Sequence, residues 1–248
     1  MEKRRTTPLK EHYLEAHHCT VDLRLEKLRM VPFFQRLSAQ ELEEVNELFS
    51  ASHFSKGQYI YYEGDKASFL RVVVDGNVKL LQKTDEGREV LIDMLQAGEY
   101  FGSLSAMGED TYTETAVAQT SCCVLAMGLQ DLKKVIDQYS SVAASLLEIT
   151  SRRLNSTRNR VAQITTMPVE RRIARILQEL AAKFGERKNF GLLIQLPLSR
   201  QEVADMTGTS AETASRIMSK FQDEDIITTG RQWVAITGQE KLDEYLKS

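Results

Sequence analysis

Cysteine, proline and tryptophan are rare in this chain of 248 residues, which has three, four and one of them respectively. Two of the cysteines are adjacent, so they indicate no disulfide framework and predict a reduced, cytoplasmic protein. No apolar run approaches the length of a transmembrane helix, which argues against a membrane partner. The basic start of the chain is followed by no hydrophobic region, so we predict no secretory signal.

The sequence also lacks a recognisable catalytic arrangement of residues. We recognise no Ser/His/Asp, Cys/His or metal-plus-carboxylate arrangement, and therefore expect no enzyme. Three of the four histidines and one cysteine cluster near the N-terminus, where they could ligate a metal or haem iron. The alternative is a solvated arm with incidental histidines. The clustered residues are His12, His17, His18 and Cys19.

Acidic side chains are unevenly distributed along a chain whose formal net charge is −3. Residues 38–137 contain 8 basic and 17 acidic side chains, whereas residues 168–248 contain 12 of each. The acidic excess is therefore confined to one region. Any attraction of the C-terminal region to nucleic acid must come from the local placement of arginine and lysine rather than from bulk charge.

Residues 198–221 predict two short helices joined by a tight turn. Ser199 and Glu202 form a capping box for the first helix, and Gly208 supplies the left-handed residue that a sharp turn requires. Ser210 caps the second helix. The apolar residues of this second helix recur at helical spacing and predict its buried face, which consists of Ala214, Ile217, Met218 and Phe221.

The opposite face of the second helix predicts a recognition surface for DNA. This stripe contains Glu212, Ser215, Arg216 and Ser219. A carboxylate accepts a hydrogen bond from the cytosine amino group, and an arginine donates to O6 and N7 of guanine. Two short strands predicted within residues 226–237 would add a β-wing. The alternative is an ordinary helical hairpin with a solvated outer face.

The region from residue 34 to residue 137 predicts a small antiparallel β-roll. Apolar alternation interrupted at Asp75-Gly76 predicts a hairpin there, and Asp85-Glu86-Gly87 predicts a second turn. Short strands separated by glycine-marked turns are typical of jelly-roll-like barrels. Such a barrel either encloses a small ligand or is filled by its own side chains.

Residues 139–164 predict a long helix without glycine or proline. Apolar residues at alternating spacings of four and three predict a coiled-coil seam and hence a homodimer. The alternative is a single helix that packs within its own chain, and Val142, Leu146 and Ile149 are expected to pack on the β-roll. The predicted seam consists of Ala143, Leu147, Thr150, Leu154, Thr157, Val161 and Ile164.

Together these parts predict an α+β protein with four regions. Residues 1–27 form an N-terminal arm, and residues 28–137 form a jelly-roll-like β-roll. Residues 138–166 form the dimerisation helix and a hinge before Pro168, which disfavours a helical residue before it. Residues 167–248 form a winged helix-turn-helix domain.

The order of these parts and several motifs resemble the CRP/FNR family of bacterial transcription regulators. The motifs are KGQYIYYEGD, VDGNVKLLQ, AGEYFGSLSAMGE and LSRQEVADMTGTSAETASRIMSKFQDEDII, and the resemblance covers nearly all of the chain after about residue 28. It implies a homodimer that senses a signal in the β-roll, relays it through the paired helix and reorients the helix-turn-helix on palindromic double-stranded DNA. RNA polymerase is the implied further partner.

The resemblance also implies roles for residues of the helix-turn-helix. Ala211 stands where the cyclic-AMP-responsive branch usually has arginine. Glu212, Ser215 and Arg216 give the pattern E-x-x-S-R of the FNR branch, which implies a site similar to TTGAT–N4–ATCAA. Glu212 and Arg216 are implied to read a G·C pair. The residues implied to contact phosphate are Arg200, Gln201, Ser210 and Thr213. The implied DNA-binding residues are Arg200, Gln201, Ser210, Ala211, Glu212, Thr213, Ser215, Arg216 and Lys220.

The implied effector pocket departs from the cyclic-AMP pattern. Cyclic-AMP binders carry FGE and an Arg-Ser pair, whereas this chain has Phe101-Gly102-Ser103 and Tyr112-Thr113. Because a buried phosphate needs a charged partner, cyclic AMP is not the expected effector. On the long helix, Thr157 matches a ligand contact of the family, and Arg158 either pairs a different anion or has a solvent-facing or inter-subunit role. The candidate pocket residues are Gly102, Ser103, Leu104, Tyr112, Thr113, Thr157 and Arg158.

The signal stays open among several hypotheses. Haem that binds NO or CO resembles another branch of the family, and thiol chemistry at Cys19, Cys122 or Cys123 is a redox alternative. We expect no iron–sulfur cluster, because the N-terminal cysteines of the FNR branch are reduced here to Cys19. A small organic anion and an effector-independent regulator are the remaining alternatives. A different class is a cyclic-nucleotide-like regulatory subunit that acts on a protein partner.

Overall fold

The structure is a computed structural model that describes residues 8–9, 19–104 and 111–247. The chain divides into two compact units, one formed by residues 12–157 and one that contains residues 158–248. The predicted α+β class is confirmed, with antiparallel sheets, a long helix and a helix-turn-helix. Within the described ranges, no helix combines the length and apolar character needed to cross a membrane.

The first unit begins with two helices, α1 (Val21–Met30) and α2 (Ala39–Glu47), each of which starts at a side-chain cap. Arg24 joins them, because its Nη2 donates to the carbonyl oxygens of Asn46 at 3.1 Å and Phe49 at 2.9 Å. Part of the region predicted as an arm is therefore helical and packed on the β-roll.

Eight strands form the β-roll. They are β1 (Phe49–Phe54), β2 (Tyr59–Tyr61), β3 (Phe69–Asp75), β4 (Val78–Lys83), β5 (Glu89–Leu95), β6 (Tyr100–Gly102), β7 (Thr115–Ala118) and β8 (Cys122–Gly128). One antiparallel sheet has the strand order β1-β8-β3-β6, and the other has the order β2-β7-β4-β5. This arrangement agrees with the predicted jelly-roll-like architecture.

The hairpin predicted at Asp75-Gly76 is wrong, because β3 and β4 lie in different sheets. Gly76 has a φ of +79°, and a Cβ atom there would lie 2.3 Å from the carbonyl oxygen of Ser121. The turn is thus packed tightly against the connection between β7 and β8, where it carries the chain from one sheet to the other. The second predicted turn, at residues 85–87, does join two paired strands, β4 and β5.

Two apolar clusters fill the first unit. One lies between the helices and the first sheet and includes α3 (Leu129–Gln138), with Phe33 and Tyr100 in edge-to-face contact at 4.9 Å between ring centroids. The other lies between the two sheets and includes Tyr61 and Tyr112. The inside of the β-roll is therefore occupied by side chains of the chain itself.

The long helix is α4 (Ser140–Thr166), and it ends before Pro168 as predicted. Val142 is buried, and Leu146 and Ile149 pack on the first cluster, which confirms the predicted contact with the β-roll. Beyond this contact, most side chains of the helix are exposed.

The second unit combines the end of α4 and four further helices with a four-stranded sheet. Its elements after α4 are α5 (Val169–Phe184), β9 (Gly185–Lys188), β10 (Gly191–Ile194), α6 (Arg200–Thr207), α7 (Ala211–Asp223), β11 (Ile227–Gly230), β12 (Trp233–Ile236) and α8 (Gln239–Lys247). The sheet has the order β11-β12-β10-β9, so the predicted wing is extended by a hairpin that the sequence did not predict. Its core includes Ile173, Leu177, Phe221 and Val234.

Candidate nucleic-acid interface and sensor site

The helix-turn-helix has the predicted local geometry. Ser199 and Glu202 form the capping box of α6, with the backbone N–H of Ser199 donating to Glu202 Oε2 at 2.7 Å. Gly208 ends α6 in the left-handed conformation, with φ +61° and ψ +47°. Ser210 Oγ accepts from the backbone N–H of Thr213 at 3.1 Å and so caps α7. These local signals fix the angle at which α7 leaves the turn.

The recognition helix α7 buries one face and exposes the other. Its buried residues are Ala214, Ile217, Met218 and Phe221, as predicted. Glu212 and Arg216 lie one turn apart on the exposed face. Among the described residues neither has a hydrogen-bond or ion-pair partner, so both side chains can form contacts outside the chain. Two serines complete the predicted stripe. Ser215 is half-buried, and Ser219 is exposed.

Arg200, implied as a phosphate contact, also connects the elements of the domain. Its Nη1 lies 2.6 Å from Met218 Sδ, and its Nη2 donates to Thr229 Oγ1 at 3.2 Å. The hydroxyl of Thr229 in turn donates to Gln222 Oε1 at 2.8 Å. Burial lowers the pKa of Arg200. The residue therefore joins α6 to the recognition helix and to the wing.

The other implied DNA contacts lie at the surface in different settings. Gln201 is exposed, and its Nε2 donates to Asp205 Oδ1 at 2.7 Å. Ala211 and Thr213 are half-buried in the first turn of α7. The Lys220 ammonium lies 5.4 Å from the ring centroid of Tyr245, and the hydrogen bond to that tyrosine raises the pKa of Lys220.

The wing presents a basic residue that the sequence reasoning did not single out. Arg231 is exposed in the turn between β11 and β12. The next residue, Gln232, has a φ of +60°, and its carbonyl oxygen accepts from the backbone N–H of Leu198 at 3.0 Å. This bond ties the wing turn to the segment that leads into α6. A basic residue between two predicted wing strands was the signal that could have identified Arg231.

In the β-roll, part of the predicted effector pocket does come together. Gly102 has a φ of +81°, and a Cβ atom there would lie 2.6 Å from the carbonyl oxygen of Phe69 and 3.6 Å from the Tyr112 ring. The backbone N–H of Ser103 donates to the same carbonyl at 3.1 Å. Ser103 is buried, and Leu104 packs on the first apolar cluster.

Tyr112 is buried in the apolar cluster between the two sheets. It is 5% exposed, and its ring stacks on Tyr61 at 3.8 Å between centroids. Its hydroxyl accepts from the backbone N–H of Phe69 at 3.1 Å and from Arg71 Nη1 at 2.5 Å. Thr113 next to it is exposed. The sequence could not show this burial, because an aromatic residue suits both a pocket wall and a core.

A carboxylate lies next to this aromatic pair. Glu114 Oε1 accepts from the Tyr61 hydroxyl at 2.8 Å, and Oε2 accepts from Thr113 Oγ1 at 2.7 Å. Burial, followed by the charge of Glu114, raises the pKa of Tyr61, so the tyrosine stays protonated and donates. Arg71, Tyr61 and Glu114 are the residues of this site that sequence reasoning missed.

The two pocket residues predicted on the long helix are exposed. The hydroxyl of Thr157 donates to the carbonyl oxygen of Arg153 at 3.0 Å, within the same helix. Arg158 belongs to the second compact unit. Arg153 does contact the β-roll, since its Cζ lies 4.1 Å from the ring centroid of Tyr100, the first residue of β6.

The prediction that all cysteines are reduced is wrong. Cys19 and Cys123 form a disulfide, with 6.5 Å between their Cα atoms. Cys122 is free and buried, and burial together with Asp75 raises the pKa of its thiol to about 12. The sequence obscured this pairing because the two residues are 104 positions apart.

The predicted haem or metal cluster is therefore not supported at Cys19, because a sulfur in a disulfide is not a free thiolate ligand. His12, His17 and His18 lie outside the described residues. In residues 19–104 and 111–247, no group of three or more His, Cys, Asp or Glu side chains is arranged to hold a metal ion.

The predicted seam residues line an exposed face of α4. The large apolar ones are unusually accessible, with exposures of 75% for Leu147, 53% for Leu154, 59% for Val161 and 51% for Ile164. Thr150 and Thr157 in the same seam donate their hydroxyl protons to carbonyls one turn earlier. Ala143 is half-buried close to the β-roll contact.

Comparisons with known proteins cover both units. Residues 51–139 match the cyclic nucleotide-binding domain family, and residues 171–245 match the Crp-like helix-turn-helix domain family. The chain is 26% identical over 217 residues to the CRP-like cAMP-activated global transcriptional regulator of Mycobacterium tuberculosis, covering 88% of this chain and 94% of that protein. It is 28% identical over 213 residues to the cyclic AMP receptor protein of Thermus thermophilus, covering 86% and 95%.

A similarity of fold extends to solved structures. FixK2 from Bradyrhizobium japonicum has a TM-score of 0.69 at 21% identity, covering 79% of this chain and 96% of that one. A cyclic-nucleotide-binding-like domain followed by a long helix and a DNA-binding helix-turn-helix defines a transcription regulator. The chain belongs to the CRP/FNR family, as its motifs indicated.

Proposed function

We propose that this regulator binds a palindrome similar to TTGAT–N4–ATCAA as a homodimer, and that RNA polymerase is its further partner. The observation that carries the proposal is the exposed pair Glu212 and Arg216 on a recognition helix whose start is capped by the Ser210 side chain. An arginine donates to a guanine through two hydrogen bonds, and a glutamate accepts from a cytosine amino group, so the pair reads one G·C base pair in each half-site.

Dimerisation is supported by the exposed apolar face of α4. Four large apolar side chains that are each more than half exposed are costly for an isolated helix, and a second copy of the same helix would cover them. A parallel pair would also hold two recognition helices at a separation suited to adjacent major grooves. Thr150 and Thr157 make this helix interface less apolar than one formed by leucine alone.

The DNA sequence preference is tested by fluorescence anisotropy with a labelled duplex that contains the palindrome. We expect tight binding to this duplex and at least about tenfold weaker binding when the guanines of both half-sites are replaced. A second duplex carries about five extra base pairs between the half-sites, which turns them to opposite faces of the DNA, and it should also bind more weakly. Equal affinity for all three duplexes would refute the proposed site.

The β-roll is proposed to sense a signal other than cyclic AMP, although the two relatives above are named for cyclic AMP. Ser103 supplies no carboxylate for a ribose, and the side chains of Tyr112 and Thr113 supply no positive charge for a phosphate. Glu114 next to them adds a negative charge, which opposes the one positive charge near this turn, that of Arg71 on the Tyr112 hydroxyl. Isothermal titration calorimetry with cyclic AMP should show no heat of binding that saturates. A saturating binding curve would contradict this part of the proposal.

A second candidate for the signal is thiol redox chemistry, which the pairing of Cys19 with Cys123 favours over haem. A dithiol reductant would convert this disulfide to two thiols while it becomes a disulfide itself, so two electrons and two protons pass to the protein. The reduction would release the start of α1 from β8. Binding to the palindrome, measured in oxidised and fully reduced protein, should differ if redox is the signal and agree if it is not.

A further inference from the structure

Arg71, on β3 of the first sheet, lies close to three aromatic rings, one of which belongs to β2 of the second sheet. Its Cζ is 4.9 Å from the ring centroid of Tyr61, 5.2 Å from that of Phe69 and 5.3 Å from that of Tyr112. A cation over the faces of three rings is held in place by their quadrupoles. The arginine is half-buried, so the rings do not enclose it completely.

Most of the hydrogen-bonding capacity of Arg71 is unused. Nη1 donates to the Tyr112 hydroxyl at 2.5 Å. In the part of the chain that the structure describes, no carboxylate forms an ion pair with Arg71 and no other acceptor binds it. A guanidinium carries several N–H donors in a planar fork, and partly desolvated charges normally have an anionic partner. The remaining donors are therefore available to an anion from outside the chain.

Arg71 also lies next to the turn that forms the predicted sensor pocket. A Cβ atom on Gly102 would lie 3.5 Å from Arg71 Nη1, and Ser103 follows directly. Phe69, which precedes Arg71 on the same face of β3, is 40% exposed. A charged group and an accessible aromatic face thus stand side by side at this turn.

We propose that Arg71 binds a small aromatic carboxylate, with its guanidinium on the carboxylate and Phe69 against the ring. The proposal rests on the sensor role of the β-roll and names the chemical class of its ligand. The planar fork of arginine matches a carboxylate with two parallel hydrogen bonds. The exposed phenylalanine adds an aromatic contact that an aliphatic acid cannot make.

Glu114 narrows the choice of anion. Its carboxylate binds the hydroxyl of Tyr61, the same tyrosine whose ring lies under Arg71. A second negative charge in this neighbourhood disfavours multiply charged anions such as phosphate more than a singly charged carboxylate. The combination of one cation, one nearby anion and an aromatic wall therefore favours a monocarboxylate with a ring.

The experiment is isothermal titration calorimetry of the full-length protein with benzoate, acetate, benzamide and inorganic phosphate. We expect benzoate to bind more tightly than the other three. Arg71→Gln should lower the affinity for benzoate by at least about tenfold. Arg71→Lys keeps the positive charge but loses the planar fork of donors, so it should lower the affinity by less. Phe69→Ala should lower the affinity for benzoate but leave the affinity for acetate unchanged. Arg36→Gln is the matched control, because Arg36 is an exposed arginine of the same unit.

Several results would overturn the proposal. These are an absence of benzoate binding to the unaltered protein, equal binding of benzoate and benzamide, tighter binding of phosphate than of benzoate, or unchanged benzoate affinity in Arg71→Gln. Circular dichroism of Arg71→Gln separates loss of binding from loss of folding, and the comparison of benzoate with benzamide does not depend on any variant. DNA binding of the unaltered protein, measured in parallel, shows whether a failure concerns only the ligand or also the proposed regulator function.

Discussion

Cys19 and Cys123 are joined by a disulfide although they are 104 residues apart in sequence. Cys19 directly precedes the cap of α1, whereas Cys123 is fully buried on β8 opposite His53 of β1. The link fixes the start of the first helix to the first sheet. In chain-entropy terms, closing a loop of this length stabilises the folded state by restricting the unfolded chain.

The first prediction concerns the number of free thiols. Unreduced protein in denaturant should show one thiol per chain with Ellman's reagent, because only Cys122 is free. Protein reduced and freed of reductant under denaturing conditions should show three. A Cys122→Ala variant provides the control and should show none before reduction. Three thiols in the unreduced, denatured protein would contradict the pairing.

The second prediction concerns the exposed seam of α4. Leu154→Glu places a charge on the face proposed to pair with a second copy, so the dimer should dissociate to monomers. Asn159→Glu adds the same charge at an exposed position outside the seam and should leave the dimer intact. Light scattering coupled to size-exclusion chromatography measures the mass of both. A dimer that persists in Leu154→Glu would place the interface elsewhere.

The third prediction compares two glycines with nearly the same backbone conformation. Gly76 and Gly87 have φ values of +79° and +78°. A Cβ atom at Gly87 would meet nothing within 4 Å, whereas one at Gly76 would lie 2.3 Å from a backbone oxygen. Gly87→Ala should therefore cost only the left-handed strain of roughly 1–2 kcal/mol. Gly76→Ala should lower the free energy of unfolding by clearly more.

Denaturant unfolding of both glycine variants measures this difference directly. Both substitutions change the backbone entropy of the unfolded chain by the same amount. The difference between the two losses in free energy of unfolding therefore reports the steric clash of a Cβ atom at Gly76 with the connection between β7 and β8. Equal losses of stability in the two variants would show that this turn can relax, and that the crossing between the sheets is not tightly packed.

Local signals made the DNA-binding region predictable. The capping box at Ser199, the left-handed Gly208 and the apolar spacing of α7 each depend on a few neighbouring residues, and the structure has all of them. The long helix and α5 were predictable for the same reason, since helix contacts are local in sequence. The hairpin of β9 and β10 was missed because its short, partly polar strands have little alternation.

Features that depend on distant contacts were not predictable. Asp75-Gly76 has the composition of a hairpin turn, but whether the following strand pairs with the preceding one is decided by the packing of Gly76 on Ser121. The residue type of Tyr112 suits both a pocket wall and a core, and its burial depends on stacking against the distant Tyr61. In each case the deciding partner lies more than forty residues away in sequence.

The most direct test of the central claim is the affinity of Arg216→Ala for the palindrome and for a scrambled duplex, measured by fluorescence anisotropy at one salt concentration. Loss of the guanine contact should cost roughly 1–3 kcal/mol per half-site on the palindrome and little on scrambled DNA. Arg36→Ala, a change in the other unit, should leave both affinities as they are. If Arg216→Ala weakens both duplexes equally, Arg216 contacts phosphate and the proposed readout is wrong.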